Sequence, residues 1–294
     1  MKKKEFIPNE KLKMIIDEIT NINYAFLIEK LCKQIQDYYK TIPKKDDKEP
    51  KVVIGLSGGI DSSVATALAT KALGKDKVIT ITMSNGKHDE CIKNGTIMQE
   101  YLGTEHYTID ISKIIKKKNE ILLLQDEKNK KCLEEKITEE EKIRLGNLAS
   151  RTRISLLYDF AARVNGRILG TANKTELMLG YVAKWGTPMC YDYGVLGNLY
   201  KCDIYKIAER LKIPKEIMNA IPSTGYYVGQ THEKELGASL EELDAAVYLL
   251  FEKKYSIEQI QKEYMVDPEF LGYVKTLYEN SEHKRQMPAN ATKQ

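Results

Sequence analysis

Cysteine is scarce and unpaired: Cys32, Cys91, Cys132, Cys190 and Cys202 are five thiols in 294 residues, and no two stand in a Cys-x-x-Cys spacing. This excludes a disulfide framework, a zinc knuckle and a redox dithiol, and points to reduced thiols in a cytoplasmic protein. No apolar run reaches the length of a membrane span, so no membrane contact is expected. The start Met1-Lys2-Lys3-Lys4-Glu5 is basic, but the apolar core of a secretory signal does not follow it, so export is not expected. Strong charge is missing too. A net charge of +4 does not argue for a nucleic-acid partner, although it leaves the surface open to small anions. The run Lys116-Lys117-Lys118 lies in a stretch where glutamates interleave with lysines, which is the pattern of a solvated helical face. No internal repeat is present.

What remains is enough apolar material, 42% of residues, for one large α/β domain with helical additions, or at most two domains. Leu12, Ile15, Ile19, Ile22 and Phe26 recur at helical spacing, and Leu31, Ile35 and Tyr38 continue a similar stripe. Residues 40–50, with two prolines and mixed charge, predict a solvated connector. Short strands and longer helices then alternate. Strands are expected at 52–56, 77–83, 107–111 and 167–170, and helices at 61–73, 88–101 and 147–164. From Ser239 on the chain reads as helical. Such alternation implies crossover connections and a parallel, Rossmann-like sheet with helices on both faces. Ligands in such sheets bind beyond the carboxyl ends of the strands.

At the end of the first strand stands Gly55-Leu56-Ser57-Gly58-Gly59-Ile60-Asp61-Ser62-Ser63. Glycines there permit a sharp turn and a close backbone approach, and the next helix begins with unpaired N–H groups and a partial positive charge. Together they form a seat for phosphate. A Walker A loop would need Gly-Lys-Ser/Thr where Ile60-Asp61-Ser62 stands, and the dinucleotide pattern Gly-x-Gly-x-x-Gly is absent. The run Gly55-Leu56-Ser57-Gly58-Gly59 does satisfy the Gly-x-Ser-x-Gly nucleophile elbow. Against the elbow, the loop follows the first strand, no His-Gly-Gly oxyanion motif appears, and Asp61 would have no role.

Ser-Gly-Gly-x-Asp-Ser resembles the pyrophosphate loop of the N-type ATP pyrophosphatases, whose sheet is of the adenine nucleotide alpha hydrolase-like kind. Further blocks narrow the likeness. Gly146-Asn147-Leu148-Ala149-Ser150-Arg151-Thr152-Arg153 resembles the Gly-Asn-x-x-Ala-Arg-x-Arg helix of NAD synthetases. Gly170-Thr171-Ala172-Asn173-Lys174-Thr175-Glu176, Gly180-Tyr181, Lys184, Gly197-Asn198-Leu199-Tyr200-Lys201, Ile221-Pro222-Ser223, the segment from Gly229 to Gly237, and His283-Lys284-Arg285 follow in family order. The likeness runs from about residue 50 to the end. It implies one NAD synthetase domain over 1–294, with a helical segment at 1–50 and the ATP pyrophosphatase core at 51–294.

The resemblance also implies roles. Gly55, Leu56, Ser57, Gly58, Gly59, Ile60, Asp61 and Ser62, with Thr171, Lys201 and Ser223, would bind ATP, and Asp61 and Glu176 would share one Mg²⁺. Hard carboxylates at two strand–helix junctions suit that ion. Arg151, Lys184, Asp192, His283 and Lys284 match positions that hold deamido-NAD. Ammonia would convert this substrate to NAD through an acyl-adenylate, releasing AMP and pyrophosphate, in a homodimer. Glutamine-using relatives carry a separate glutaminase domain, for which this length leaves no room, so ammonia is expected from solution or another chain. One departure stands out. Relatives read Lys-Tyr/Phe-Gly-Asp-Gly where this chain reads Lys184-Trp185-Gly186-Thr187-Pro188-Met189-Cys190-Tyr191-Asp192. An amide ligase of the same superfamily acting on a different carboxylate is therefore the alternative.

Overall fold

A computed structural model describes residues 10–45, 49–86, 89–123, 138–220 and 231–288. At its centre lies a five-stranded parallel sheet, β1 (Lys51–Gly55), β2 (Val78–Ser84), β3 (Glu105–Asp110), β4 (Gly166–Gly170) and β5 (Tyr193–Gly194), in the spatial order β3-β2-β1-β4-β5. The central strands read as nearly unbroken apolar runs because both faces are covered. Side chains alternate along β1: Val52 and Ile54 enter one core with α2 (Tyr24–Lys40) and α3 (Ile60–Leu73). Val53 enters the other, with Leu157 and Ala161 of α6 (Glu139–Arg163). On the outer flank, α4 (Asp89–Leu102) covers β2, and α5 (Ser112–Leu123) packs beside α6.

The expected strands are present with small corrections. β1 begins and ends one residue earlier than the hydropathy suggested, and β2 one residue later. β3 begins at Glu105 because its pairing with β2 starts at Ile79↔Glu105, before any apolar residue of that strand. The two-residue β5 was not anticipated, being too short to carry a period.

The N-terminal stripe required a larger correction. It is two helices, α1 (Glu10–Thr20) and α2, and Asn23 breaks it by accepting the Phe26 amide at 3.1 Å as an N-cap. The stripe divides because its halves serve different cores. Leu12 and Ile15 pack among the C-terminal helices, whereas Ile28, Leu31 and Ile35 pack on the sheet layer. Ile22 and Phe26, at the break, are exposed.

After β4 come α7 (Lys174–Leu179), α8 (Lys201–Arg210) and α9 (Lys215–Met218), then α10 (His232–Leu236), α11 (Leu240–Val247), α12 (Ile257–Tyr264), α13 (Pro268–Asn280) and α14 (Glu282–Arg285). No helix among the described residues is long and apolar enough to cross a membrane. Cys32, Cys91, Cys190 and Cys202 are free thiols. Asn23→Ala should lower unfolding free energy by about 1 kcal/mol in a urea titration, the usual loss for a removed N-cap.

Candidate active site

The chain builds β1, β2 and β3 outward to one side and then returns to lay β4 and β5 on the other. The connections after β1 and β4 therefore leave in opposite directions, opening a crevice at the carboxyl ends of those two neighbours. The Ser57–Ser62 loop follows β1 there, and Thr171 to Glu176 follows β4.

Hydrogen bonds inside the loop hold its shape. Ser62 Oγ accepts the Ser57 amide at 3.2 Å and lies 3.0 Å from Ser57 Oγ, and Ser57 Oγ accepts the Gly59 amide at 3.3 Å. The Thr82 hydroxyl donates to the Leu56 carbonyl at 2.7 Å, fastening the loop's root to β2. Gly58 sits at φ +77°, and a Cβ there would lie 2.5 Å from Asn94 Cβ, so only glycine fits. Gly59 caps α3 without any side chain, leaving the amides of the first turn to face the crevice. Ser57 Oγ is engaged within the loop, with Ser62 Oγ and the Gly59 amide, and bonds no imidazole among the described residues.

Three charged side chains meet here. Asp61, in the first turn of α3, accepts from Lys201 Nζ at the start of α8 and from Asn173 Nδ2 at 2.9 Å. Asn173 caps α7 through a reciprocal pair. Its side chain accepts the Glu176 amide at 2.9 Å, and Glu176 accepts the Asn173 amide at 3.1 Å. Burial works against the charge on Asp61, but the Lys201 ammonium and the hydrogen bonds outweigh it and hold its carboxyl below the usual range. Glu176 has no such ammonium partner, and burial together with the Asp61 charge pushes its carboxyl up to about 8. Lys201 is 2% exposed, and the two carboxylates keep it charged against its burial. His232, 5% exposed with neither ring nitrogen bonded among the described residues, stands edge-on to Tyr181 at 5.0 Å. Burial and the Lys201 charge bring it down to about 4, so it is neutral at physiological pH.

A second group is basic. Arg151 of α6 donates from Nε to the Lys184 carbonyl at 3.0 Å, and Lys184 Nζ lies 3.3 Å from His283 Nδ1. Lys284 Nζ donates to the Gly180 and Val182 carbonyls at 2.6 and 2.9 Å, and burial with the Arg151 charge lowers its pKa. Trp185 takes φ +60° and stays 44% exposed, with Lys184 Nζ 5.7 Å from its ring centroid. The adjoining turn is pinned to α6, where Ser150 Oγ donates to the Thr187 carbonyl at 2.5 Å.

A sequence profile described as NAD synthase matches residues 27–288. The chain belongs to the NAD synthase family. It is 36% identical over 245 residues to the NH3-dependent NAD+ synthetase of Pyrococcus furiosus, covering 83% of this chain and 89% of that one. A solved NMN synthetase from Francisella tularensis superposes with a TM-score of 0.74 at 27% identity, over 92% of this chain and 99% of its own. An NH3-dependent NAD synthetase from Campylobacter jejuni, in complex with nitrate, gives 0.70 at 26% identity, over 92% of this chain and 100% of its own.

Against the residues that the NAD synthase resemblance named, Gly55 to Ser62, Glu176 and Lys201 gather at the crevice between β1 and β4. Thr171 directly follows β4 there. Arg151, Lys184, His283 and Lys284 gather around the turn after α7. Asp192 makes its bonds elsewhere: its carboxylate accepts the Ile168 amide at 2.7 Å, and its own amide donates to the Ile168 carbonyl at 3.0 Å, extending the β4–β5 pairing. Ser223 lies outside the described residues. Sequence reasoning missed Asn173 and His232. The spacing Asn173-x-x-Glu176 is a capping signature that would have exposed the first. The second carries no local signal, since its burial is set by tertiary packing.

Gly58→Ala should cost about 2 kcal/mol of stability in a urea titration, from left-handed strain and the Asn94 overlap. The folded protein holds the Glu176 proton more tightly than the unfolded chain, so stability falls as pH rises toward and through about 8. In the presence of a chelator, the loss between about pH 7 and 8.5 should be on the order of 1 kcal/mol. Glu176→Gln should flatten that slope, and thermal melts across the range check it.

Proposed function

We propose that this chain is an ammonia-dependent NAD synthetase, which amidates deamido-NAD to NAD and converts ATP to AMP and pyrophosphate. One observation carries the proposal: the Ser57–Ser62 loop, Asp61, Glu176 and Lys201 converge at the crevice between β1 and β4. Phosphate would rest on the uncapped first turn of α3, with the serine hydroxyls and Lys201 as further donors, and with Thr171 and Ser223 completing the ATP site. The basic group of Arg151, Lys184, His283 and Lys284 would receive the anionic deamido-NAD, and Asp192 would hold it from the β5 side.

Two hard carboxylates, one without its own countercharge, fit a divalent cation. No three metal-binding side chains gather among the described residues, so phosphate oxygens and water would complete its shell. Asp61 and Glu176 would hold Mg²⁺, which when bound neutralises phosphate charge.

The nicotinate carboxylate oxygen attacks the α-phosphorus, and the bond to the β-phosphate oxygen breaks, releasing pyrophosphate. Ammonia then attacks the carbonyl carbon of the acyl-adenylate, AMP leaves, and a proton passes to solvent. The protein supplies no nucleophile. Its contribution is positioning, and donors fixed where charge develops on the phosphates. One synthetase domain performs both steps, in a cytoplasmic homodimer fed with ammonia from solution or another chain.

Purified protein given ATP, Mg²⁺, ammonium and deamido-NAD should form NAD and AMP in equal amounts. Nicotinate mononucleotide, the deamido form of NMN, should be a poor substitute. Preferential turnover of that mononucleotide, or AMP release only with another acid, would move the assignment to a different carboxylate. Asp61→Asn and Glu176→Gln should each abolish Mg²⁺-dependent AMP formation, with circular dichroism unchanged.

A further inference from the structure

Asp244 is a carboxylate in the middle of α11, 0% exposed and surrounded by the apolar core of the C-terminal helices. It has no ion-pair partner among the described residues. A buried charge without a countercharge is expensive, and hydrogen bonds must hold it. Two do so. Asp244 Oδ1 accepts the hydroxyl of Thr175 in the first turn of α7, and Oδ2 accepts the amide of Cys202, second residue of α8, at 2.8 Å. The positive end of the α8 dipole points at the same carboxylate.

Each anchored residue is one step from a functional one. Thr175 precedes Glu176, and Cys202 follows Lys201. Both anchor points are buried, at 2% and 7% exposure, so neither is a surface contact that solvent would replace. A third bond joins the same two helix starts directly, from the Lys174 amide to the Leu199 carbonyl at 2.8 Å.

We propose that Asp244 is a positioning residue that clamps the starts of α7 and α8 together and so sets the placement of Glu176 and Lys201 against bound Mg·ATP. This rests on the reading of the crevice as the ATP site, though not on the identity of the acyl substrate. α7 is a six-residue helix and cannot hold its own position. Asn173 ties its tip to Asp61, and Asp244 ties it to α8 from behind. Without Asp244 the two helix starts would keep the Lys174–Leu199 bond and the Asp61 link at their tips, but would lose the buried tie behind Glu176 and Lys201.

The test is calorimetric titration of the full chain with Mg·ATP, alongside thermal melts, for wild type, Asp244→Asn, Thr175→Val, Thr175→Ser and the double variant Asp244→Asn/Thr175→Val. Asp244→Asn and Thr175→Val should each weaken Mg·ATP by about tenfold, as Glu176 and Lys201 lose their fixed placement against it. Thr175→Val is nearly isosteric and keeps the fold testable if Asp244→Asn does not fold. Thr175→Ser, which retains the hydroxyl, should bind within about twofold of wild type, and the double variant should be no weaker than the weaker single one. Wild-type affinity in Thr175→Val, equal loss in Thr175→Ser and Thr175→Val, or strictly additive losses would overturn the clamp. Deamido-NAD turnover by the wild type, measured in parallel, separates the two proposals. Its absence with Mg·ATP binding intact overturns the acyl substrate and leaves the clamp standing, whereas absence of Mg·ATP binding overturns both.

Discussion

Two carboxylates and one ammonium are drawn together where α3, α7 and α8 begin, and nearly everything around them follows from holding those charges out of water. Lys201 satisfies Asp61, and Asn173 supplies that carboxylate with a further donor. Glu176 is left with one backbone donor, the Asn173 amide, and burial with the repulsion of Asp61 outweighs the attraction of Lys201, so the cluster as it stands has one negative charge too many for its burial. An enclosed site with that imbalance favours a cation or a proton. The uncapped start of α3 alongside it favours an anion. A polyphosphate accompanied by a divalent cation satisfies both demands at once, which neither a lone metal nor a lone phosphate would do.

The burden of precision falls on α7. Its first turn carries Glu176 and is fastened to Asp61 and Asp244, and its last turn is fastened with comparable care. Arg285 donates to the Met178 carbonyl at 2.8 Å and to the Tyr278 carbonyl at 2.6 Å, with its guanidinium 3.9 Å from the Tyr278 ring centroid. Gly180 ends the helix in the left-handed region, tight against Ser281. The polar tail that contributes His283 and Lys284 is thus part of the scaffold under the site, tied to the far end of the helix whose near end bears Glu176.

The sheet was legible because β1, β2 and β4 are buried on both faces, and such strands announce themselves as apolar runs bounded by glycine and charge. β3 was placed late because it lies at the sheet edge, where Tyr107 is exposed and hydropathy is a poor guide. The stripe from Leu12 to Phe26 kept its period across the break, and the capping chemistry of Asn23 was outweighed by that period. At the site, the loop after β1 was legible through its run of small residues, among which Gly58 takes a left-handed turn tight against Asn94. Asn173 was legible in principle. Asp244 and His232 were not, because their importance comes from burial, and burial depends on partners distant in the chain.

The segment from Thr171 to Lys201 threads both charge groups in turn. It begins at the crevice between β1 and β4, passes Glu176, turns at Gly180 into the basic group at Lys184, and crosses to Asp192 and β5. It then comes back to the crevice at Lys201. The spacing between the two groups is therefore set by one stretch of chain pinned at α7, at Ser150 and at β5, rather than by two bodies free to move apart. The departure from the family pattern at Thr187 to Tyr191 falls on a held part of that stretch. Thr187 bonds Ser150 through its carbonyl and its amide, and Cys190 closes the turn onto the Gly186 carbonyl at 2.9 Å. A changed sequence in a loop so fixed alters the surface presented beside Lys184 and Trp185. It leaves the spacing between Lys184 and Lys201 as the scaffold sets it, so the change falls on the basic group and not on the crevice between β1 and β4.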